Sequence, residues 1–343
     1  MLLCSRCGHG VVEYFTDDVA AIYGDDYYSG VADSGHGYGD YALAAEYGVG
    51  WAAAFFDALR PAGKVLDIGC ANGHLLGKIG GGFGIELNDH AAGECRSAGI
   101  TIVASSVLDE SLRRNYAEAF GFAFAIAVFE HIPDFKGAVE AALALLRPDG
   151  ILLFEVPVIS PSDPDDAWLK TSLEHIHYPT EQSLQYLFGK KLYGSTLSVR
   201  NYANTYIGLT SKSEETAKEA GERLQYWRTA PPGNLSPEQA RFRWMLDVSH
   251  AANADPEVVA LYRHLEPRDI SAATVGRFLD LWTGDARRLE NTLSWLGEVE
   301  RARDWHAEQS HRRDEVIEGL KREIEDDPRR KVLRVLGSLF KRN

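Results

Sequence analysis

Two acids and two glycines at fixed spacing carry the first chemical signal. Asp67, Gly69, Ala71 and Gly73 alternate along Asp67-Ile68-Gly69-Cys70-Ala71-Asn72-Gly73, where the apolar run Val65 to Ile68 gives way to small residues. Glycine lets a backbone approach a ligand with no Cβ in the way. A pyrophosphate turn would read Gly-x-Gly-x-x-Gly. Here a carboxylate precedes the turn, and that suits an ammonium or a set of polar contacts better than a phosphate. Nineteen residues after Asp67, Glu86 ends the stretch Gly84-Ile85-Glu86 and is followed by Leu87 and Asn88. An acid at the end of a second strand is placed to accept hydrogen bonds from both ribose hydroxyls.

A ligand that joins an amino acid to a nucleoside without phosphates is S-adenosylmethionine. Methyl transfer from its sulfonium is an in-line displacement, so the protein mainly aligns the acceptor. A hydroxyl or carbon acceptor also needs a base. Glu174-His175 is the leading candidate, with Glu174 orienting or charge-stabilising the imidazole. His131, in Glu130-His131, is a further candidate, and His177 and Tyr178 are second choices. The competing reading makes Glu174-His175 a structural pair that caps or packs the next helix. A third group, Cys4-Ser5-Arg6-Cys7-Gly8-His9, has the pattern of a zinc knuckle. A structural zinc takes four ligands, His9 would be a third, and no second Cys-x-x-Cys exists. The expectation is therefore half a ribbon and no metal.

These residues need a parallel sheet to hold them. Val65 to Ile68 reads as the first strand and His74-Leu75-Leu76 as a helix opening after the turn. A strand feeding a glycine turn and a helix puts backbone N–H groups at the carboxyl edge of an open α/β sheet. Residues 41–60 have helical apolar spacing through Leu43, Tyr47, Trp51, Phe55 and Leu59. Later strands are read at Ile100 to Ala104, Phe122 to Val128 and Ile151 to Pro157, the last nearly all apolar as in a sheet buried on both faces. Arg147 to Gly150 reads as a turn, and Thr180 as the N-cap of a helix over Glu181 to Phe188. Leu197 to Tyr202 and Tyr206 to Thr210 read as closing antiparallel strands.

The motifs together resemble class I S-adenosylmethionine-dependent methyltransferases over about residues 40–212. They are similar in particular to sugar and polysaccharide-cluster methyltransferases. The motifs that carry it are Asp67-x-Gly69-x-Ala71-x-Gly73, Glu86, Phe129-Glu130-His131-Ile132-Pro133-Asp134 and the Arg147-Pro148-Asp149-Gly150 turn. The resemblance implies an α/β, doubly wound, mostly parallel Rossmann-like sheet with a helical C-terminal extension. Asp67, Gly69, Ala71 and Gly73 would line the methionine end of the cofactor, and Glu86 with Leu87 the ribose. Ser106 and Val107 would border the adenine, and Ala125 would lie along the cofactor. Gly121 stands where relatives commonly have Asp, and Ser105-Ser106 where they often have Gly-Asp. A sugar acceptor, as a nucleotide sugar or a glycan end, is the first expectation. O-methylation of a small lipid or secondary metabolite is the alternative, and a non-catalytic scaffold for polysaccharide assembly is a third reading.

The chain has 343 residues, 45% of them hydrophobic, and a net charge of −14. That length suggests two domains, and that charge argues against a general nucleic-acid surface. The reading divides it into 1–40, a partial ribbon and aromatic lid, 41–212, the cofactor domain, and 213–343, a helical extension. Four cysteines suit a reducing cytoplasm. No apolar run approaches the roughly 20 residues of a transmembrane helix. Residues 329–343 hold six basic residues and no acid among apolar ones. Such a tail suits either peripheral contact with anionic lipid or a solvated helix end. The C-terminal helices are a candidate surface for a homo-oligomer.

Overall fold

Strand-forming and helix-forming stretches alternate from residue 41 onward, and the chain builds a layered α/β structure from them. The computed structural model describes residues 1–13, 41–160, 175–198 and 204–254. The aromatic lid segment, Glu174, the long helices expected beyond 254 and the basic tail at 329–343 lie outside the described residues. Met1–Thr229 form one compact unit and Ala230–Asn343 a second. The first therefore extends past residue 212, where the sequence suggested a division.

Strands β1 (Leu2–Leu3) and β2 (Gly10–Val11) flank the cysteine knuckle. Helix α1 (Tyr41–Leu59) buries Trp51 to Phe55 completely or nearly so. Then come β3 (Lys64–Ile68), α2 (His74–Lys78), β4 (Phe83–Ile85), α3 (Asp89–Ser97), β5 (Thr101–Ala104) and α4 (Glu110–Tyr116). β6 (Phe120–Ile126), a 3₁₀ turn over Phe129–His131, α5 (Phe135–Leu145) and β7 (Leu146–Val158) complete the parallel part. After residue 174 follow β8 (His177–Tyr178), α6 (Glu181–Phe188), β9 (Tyr193–Ser198), β10 (Asn204–Ser211) and α7 (Glu214–Thr229). The second unit contains α8 (Pro237–Ala254), which opens with Ser236 accepting from the Gln239 N–H.

The main sheet among the described residues runs β5-β4-β3-β6-β7-β10-β9. Pairings from β5 to β7 are parallel, and β10 pairs antiparallel with both β7 and β9. The chain moves outward from β3 to β5 and then returns to the other side of β3 as β6. That reversal opens a crevice above the carboxyl ends of β3 and β6, where ligands of such sheets bind.

Alternation along β7 sorts its side chains between two faces. Leu152, Phe154, Val156 and Val158 join the core made with α5 and α6. Phe154 stacks on Phe188 with ring centroids 4.9 Å apart. Glu155 points the opposite way, toward Trp51 of α1. On that face Phe55 of α1 meets Trp227 of α7.

Several boundaries differ from the sequence reading for physical reasons. Arg147 to Gly150 is not a free turn, because β7 already pairs with Phe120 from Leu146 and absorbs these residues through a register shift. Arg147 is held locally by Asp149. Gly121 is explained by packing, since a Cβ there would run into the carbonyl oxygen of Ala62. β9 starts at Tyr193 and pairs with Leu209, four residues before the expected start.

The N-terminal hairpin docks on the domain through β8, giving a second sheet β1-β2-β8. Backbone bonds close the knuckle: the Gly8 N–H donates to the Cys4 carbonyl at 2.8 Å, and the Cys4 N–H to the His9 carbonyl at 2.9 Å. His9, however, is not available as a third zinc ligand. Its ring sits 3.0 Å from His177 Nδ1 and 3.3 Å from Ser183 Oγ, with Phe135 edge-on. The Thr180 hydroxyl donates to the Cys7 carbonyl, and Thr180 and Ser183 form the capping box of α6.

Burial depresses His9 from 6.5 to about 4, helped by His177, and depresses His177 as well. An unfolded chain takes up protons below its ordinary histidine pKa that the folded chain refuses. Stability is therefore full above about 6.5 and falls as pH drops toward the folded value. Calorimetric Tm is expected to fall between pH 7 and pH 4.5, and His9→Phe is expected to flatten that fall. Parallel pH curves for the two proteins would contradict the assignment.

Candidate functional site

The crevice is framed by a turn with three left-handed residues. Gly69 has φ 72°, Ala71 φ 48° and Gly73 φ 81°. Left-handed backbone is easy for glycine and uncommon for alanine, so Ala71 is the strained member. Gly69 also has to be bare, because a Cβ would lie 2.6 Å from Val128 Cγ2. The N–H groups of Gly69 and Cys70 both reach the Ile85 carbonyl, at 2.8 and 3.0 Å, tying the turn to β4.

Asp67, in β3 just before its end, and Glu86, directly after β4, are both buried. Glu86 accepts from the Ala71 N–H and the Asn88 N–H, both at 2.7 Å. Burial still raises Glu86, and those two bonds only partly offset it. Asp67 is pushed well above the carboxylate range by burial first, then by Cys95 and Glu86. No cation contributes to either shift among the described residues. A ligand with positive charge and hydroxyl donors would relieve both groups, so the donor set fits a sulfonium amino acid bearing a ribose. Asn88 caps α3 through the Ala91 N–H at 2.7 Å. Glu46 of α1 reaches across to His74 and Lys78 of α2, each at 2.7 Å. Burial alone would raise Glu46, but these bonds win and hold it at about 2.

Leu87 is exposed beside Glu86, at the crevice rim. The Ser106 hydroxyl accepts from the Leu108 N–H at 3.2 Å and shapes the loop after β5. Val107 and Ala125 are core residues, packed with Phe129 and Phe154. Ala125 therefore meets the core rather than the crevice.

Beyond β6 the chain gathers a second cluster. Ala127 is left-handed, with φ 53°, and the 3₁₀ turn at Phe129–His131 follows. The Ile176 N–H donates to the Glu130 carbonyl at 3.0 Å and holds His175 beside this turn. His131 Nε2 lies 3.8 Å from Glu130 Oε1. The His131 and His175 rings meet edge to face at 4.8 Å. One ligand atom from each of Glu130, His131 and His175 lies within 4.8 Å of the others, a group able to close on a small cation. Burial, then His131, drives His175 down to about 2, so its imidazole is neutral. His177 is committed elsewhere, to His9 and to the Pro133 carbonyl at 2.9 Å. Tyr178 is buried against His175.

An open cleft of about 380 Å³ lies beyond the end of β7. Ile159, Glu181, Gln182, Thr196 and Asn204 line it, and Glu181 accepts from the Thr196 hydroxyl. One half-buried acid escaped the sequence reading. Glu155 lies opposite Ile126, the last residue of β6, at the level of the crevice. An acid inside a run as apolar as Ile151 to Val158 was the available signal.

Residues 44–191 match the family model of a methyltransferase domain. Over these residues the chain is similar to a methyltransferase domain, and the donor set of the crevice fits S-adenosylmethionine as its cofactor. A ubiquinone biosynthesis O-methyltransferase of Actinobacillus pleuropneumoniae is 33% identical over 103 residues, covering 26% of this chain and 44% of the relative. The enzyme of the same name from Paraburkholderia phymatum is 31% identical over 99 residues, with 26% and 43% coverage. The chain thus spans less than half the length of these relatives. A methyltransferase from Thermotoga maritima, described as a possible histamine N-methyltransferase, superposes with a TM-score of 0.38 at 16% identity, over 49% of this chain and 91% of that one.

Asp67 gives a test with two readouts. Its raised pKa means the folded protein holds a proton the unfolded chain has already lost, so stability falls as pH rises through that window. Asp67→Asn is expected to raise the Tm of the cofactor-free protein at pH 8. Losing a charged hydrogen-bond partner should also weaken S-adenosylhomocysteine binding by about 10- to 100-fold. Calorimetry checks both; unchanged affinity would remove Asp67 from the site.

Proposed function

We propose that the chain transfers a methyl group from S-adenosylmethionine to a hydroxyl oxygen of a small lipid or secondary metabolite. Asp67 and the turn from Gly69 to Gly73 would hold the methionine end, Glu86 and Leu87 the ribose, and the Ser106 and Val107 backbone the adenine edge. The bound cofactor supplies an activated methyl group with a good leaving group. What the protein adds is alignment of the acceptor and removal of its proton.

The observation that carries the oxygen-acceptor reading is the neutral His175 imidazole beside Glu130 and His131, next to the strand ends that fit the cofactor. A neutral imidazole can accept the hydrogen bond of an acceptor hydroxyl and fix its lone pair toward the methyl group. With its pKa near 2, it is too weak a base to keep that proton. His175 is thus read as a positioning residue, with Glu130 and His131 beside it. The names of the curated relatives support O-methylation. They lend nothing to a sugar acceptor, whose support was resemblance and the C-terminal helices.

The experiment is a methyl-transfer assay with mass detection on panels of phenols, hydroxylated lipids and nucleotide sugars. Methylation in the first two panels is expected. His175→Ala should lower turnover about 100-fold, as misplacing a reactant does, with S-adenosylhomocysteine affinity intact. His175→Gln, which keeps an acceptor in reach, should recover part of the loss. Equal turnover in wild type and His175→Ala would exclude this role.

A further inference from the structure

We propose that Glu155 is the general base of this site, taking the acceptor's hydroxyl proton onto its carboxylate. The proposal rests on the methyl-transfer reading above and names the group that reading lacks.

The argument starts from sheet geometry. Glu155 occupies β7, flanked by Ile126 of β6 and Ile207 of β10. Ile126 is the last residue of its strand, so Glu155 stands at the carboxyl edge, where the crevice opens. Its carbonyl accepts the Ala127 N–H at 3.0 Å. That bond fixes the left-handed residue from which the chain climbs to Glu130 and His131. Glu155 is therefore joined through backbone to the cluster that would position the acceptor. Alternation turns its side chain to the α1 face, opposite Phe154 and Val156. Unlike Leu152, Leu153, Phe154 and Val156, each fully buried, Glu155 keeps part of its surface open.

Its electrostatic surroundings are simple. Burial raises it and the Trp51 indole from α1 acts against that, leaving it at about 8. Its strand neighbours Ile126 and Ile207 are apolar, and Glu46 of α1 is engaged by His74 and Lys78. Among the described residues no charged group of α1, β6, β10 or α7 acts on it. A base works best when its pKa lies near the working pH, and Glu155, at about 8, meets that condition. In the step, the acceptor O–H bond breaks and its proton passes to Glu155. The freed electron pair on oxygen forms the bond to the methyl carbon, and the C–S bonding pair stays on sulfur. Glu155 then returns the proton to water.

The test uses the full chain and Glu155→Gln, which keeps the shape of the protonated acid. Infrared difference spectra between pH 6.5 and pH 9.5 read the acid without turnover. Wild type should show a carboxylic-acid C=O band, titrating near 8, that Glu155→Gln lacks. With an acceptor found, kcat should rise with pH toward about 8. Glu155→Gln should lower kcat about 100-fold or more and remove that limb, while S-adenosylhomocysteine affinity stays within threefold. Glu155→Asp should restore part of the rate, and His175→Ala should keep the limb. An active wild type whose Glu155→Gln variant keeps rate and limb overturns this proposal alone. A wild type that binds cofactor and methylates nothing in the panels overturns the function reading and this proposal with it.

Discussion

Two carboxylates at the ends of adjacent strands set the terms for the rest of this domain. Asp67 and Glu86 sit where water is scarce: burial raises both, and Glu86 adds to the cost of ionising Asp67. The fold tolerates them by surrounding one with backbone N–H groups. The Ala71 and Asn88 bonds to Glu86 need a turn that curls back over β4, and that curl needs left-handed residues at 69, 71 and 73. Once the turn is fixed, so is the start of α2, and Glu46 can then bridge from α1 to His74 and Lys78. One electrostatic strain thus propagates into a precise loop.

The same logic separates the two ends of the crevice. The glycine side is held by backbone bonds within its own turn and to β4. On the other side, Ile176 is tied both ways, its N–H to the Glu130 carbonyl and its carbonyl to the Val12 N–H, and ring contacts place His175.

The parts of this arrangement that depend on local pattern were legible in the sequence. An apolar run, a small-residue turn and an acid at the next strand end are neighbours in the chain, and their spacing expresses the geometry directly. What could not be read depends on contacts distant in sequence. Gly121 looked like a lost acid, and only the Ala62 carbonyl pressed against it shows why no side chain fits. His9 could be weighed as a third zinc ligand from the sequence, but its contact with His177, 168 residues away, could not be read there. Ala125 was expected along the cofactor, but the parity of β6 turns it into the core. Glu155 was absorbed into an apolar strand because a run of hydrophobic neighbours hides which face each residue takes.

The hairpin at the start of the chain has a consequence for synthesis. Its partner strand, β8, is made about 166 residues after Val11, which pairs with His177. At roughly 5–20 residues per second, a ribosome takes about 8–33 seconds to cover that interval. Throughout it Leu2, Leu3 and both knuckle thiols leave the exit tunnel with no sheet to join. These residues find their full sheet only once His177 and Tyr178 have been made. A chaperone or a metal that held the knuckle during that wait would act on the nascent chain, before the finished domain exists.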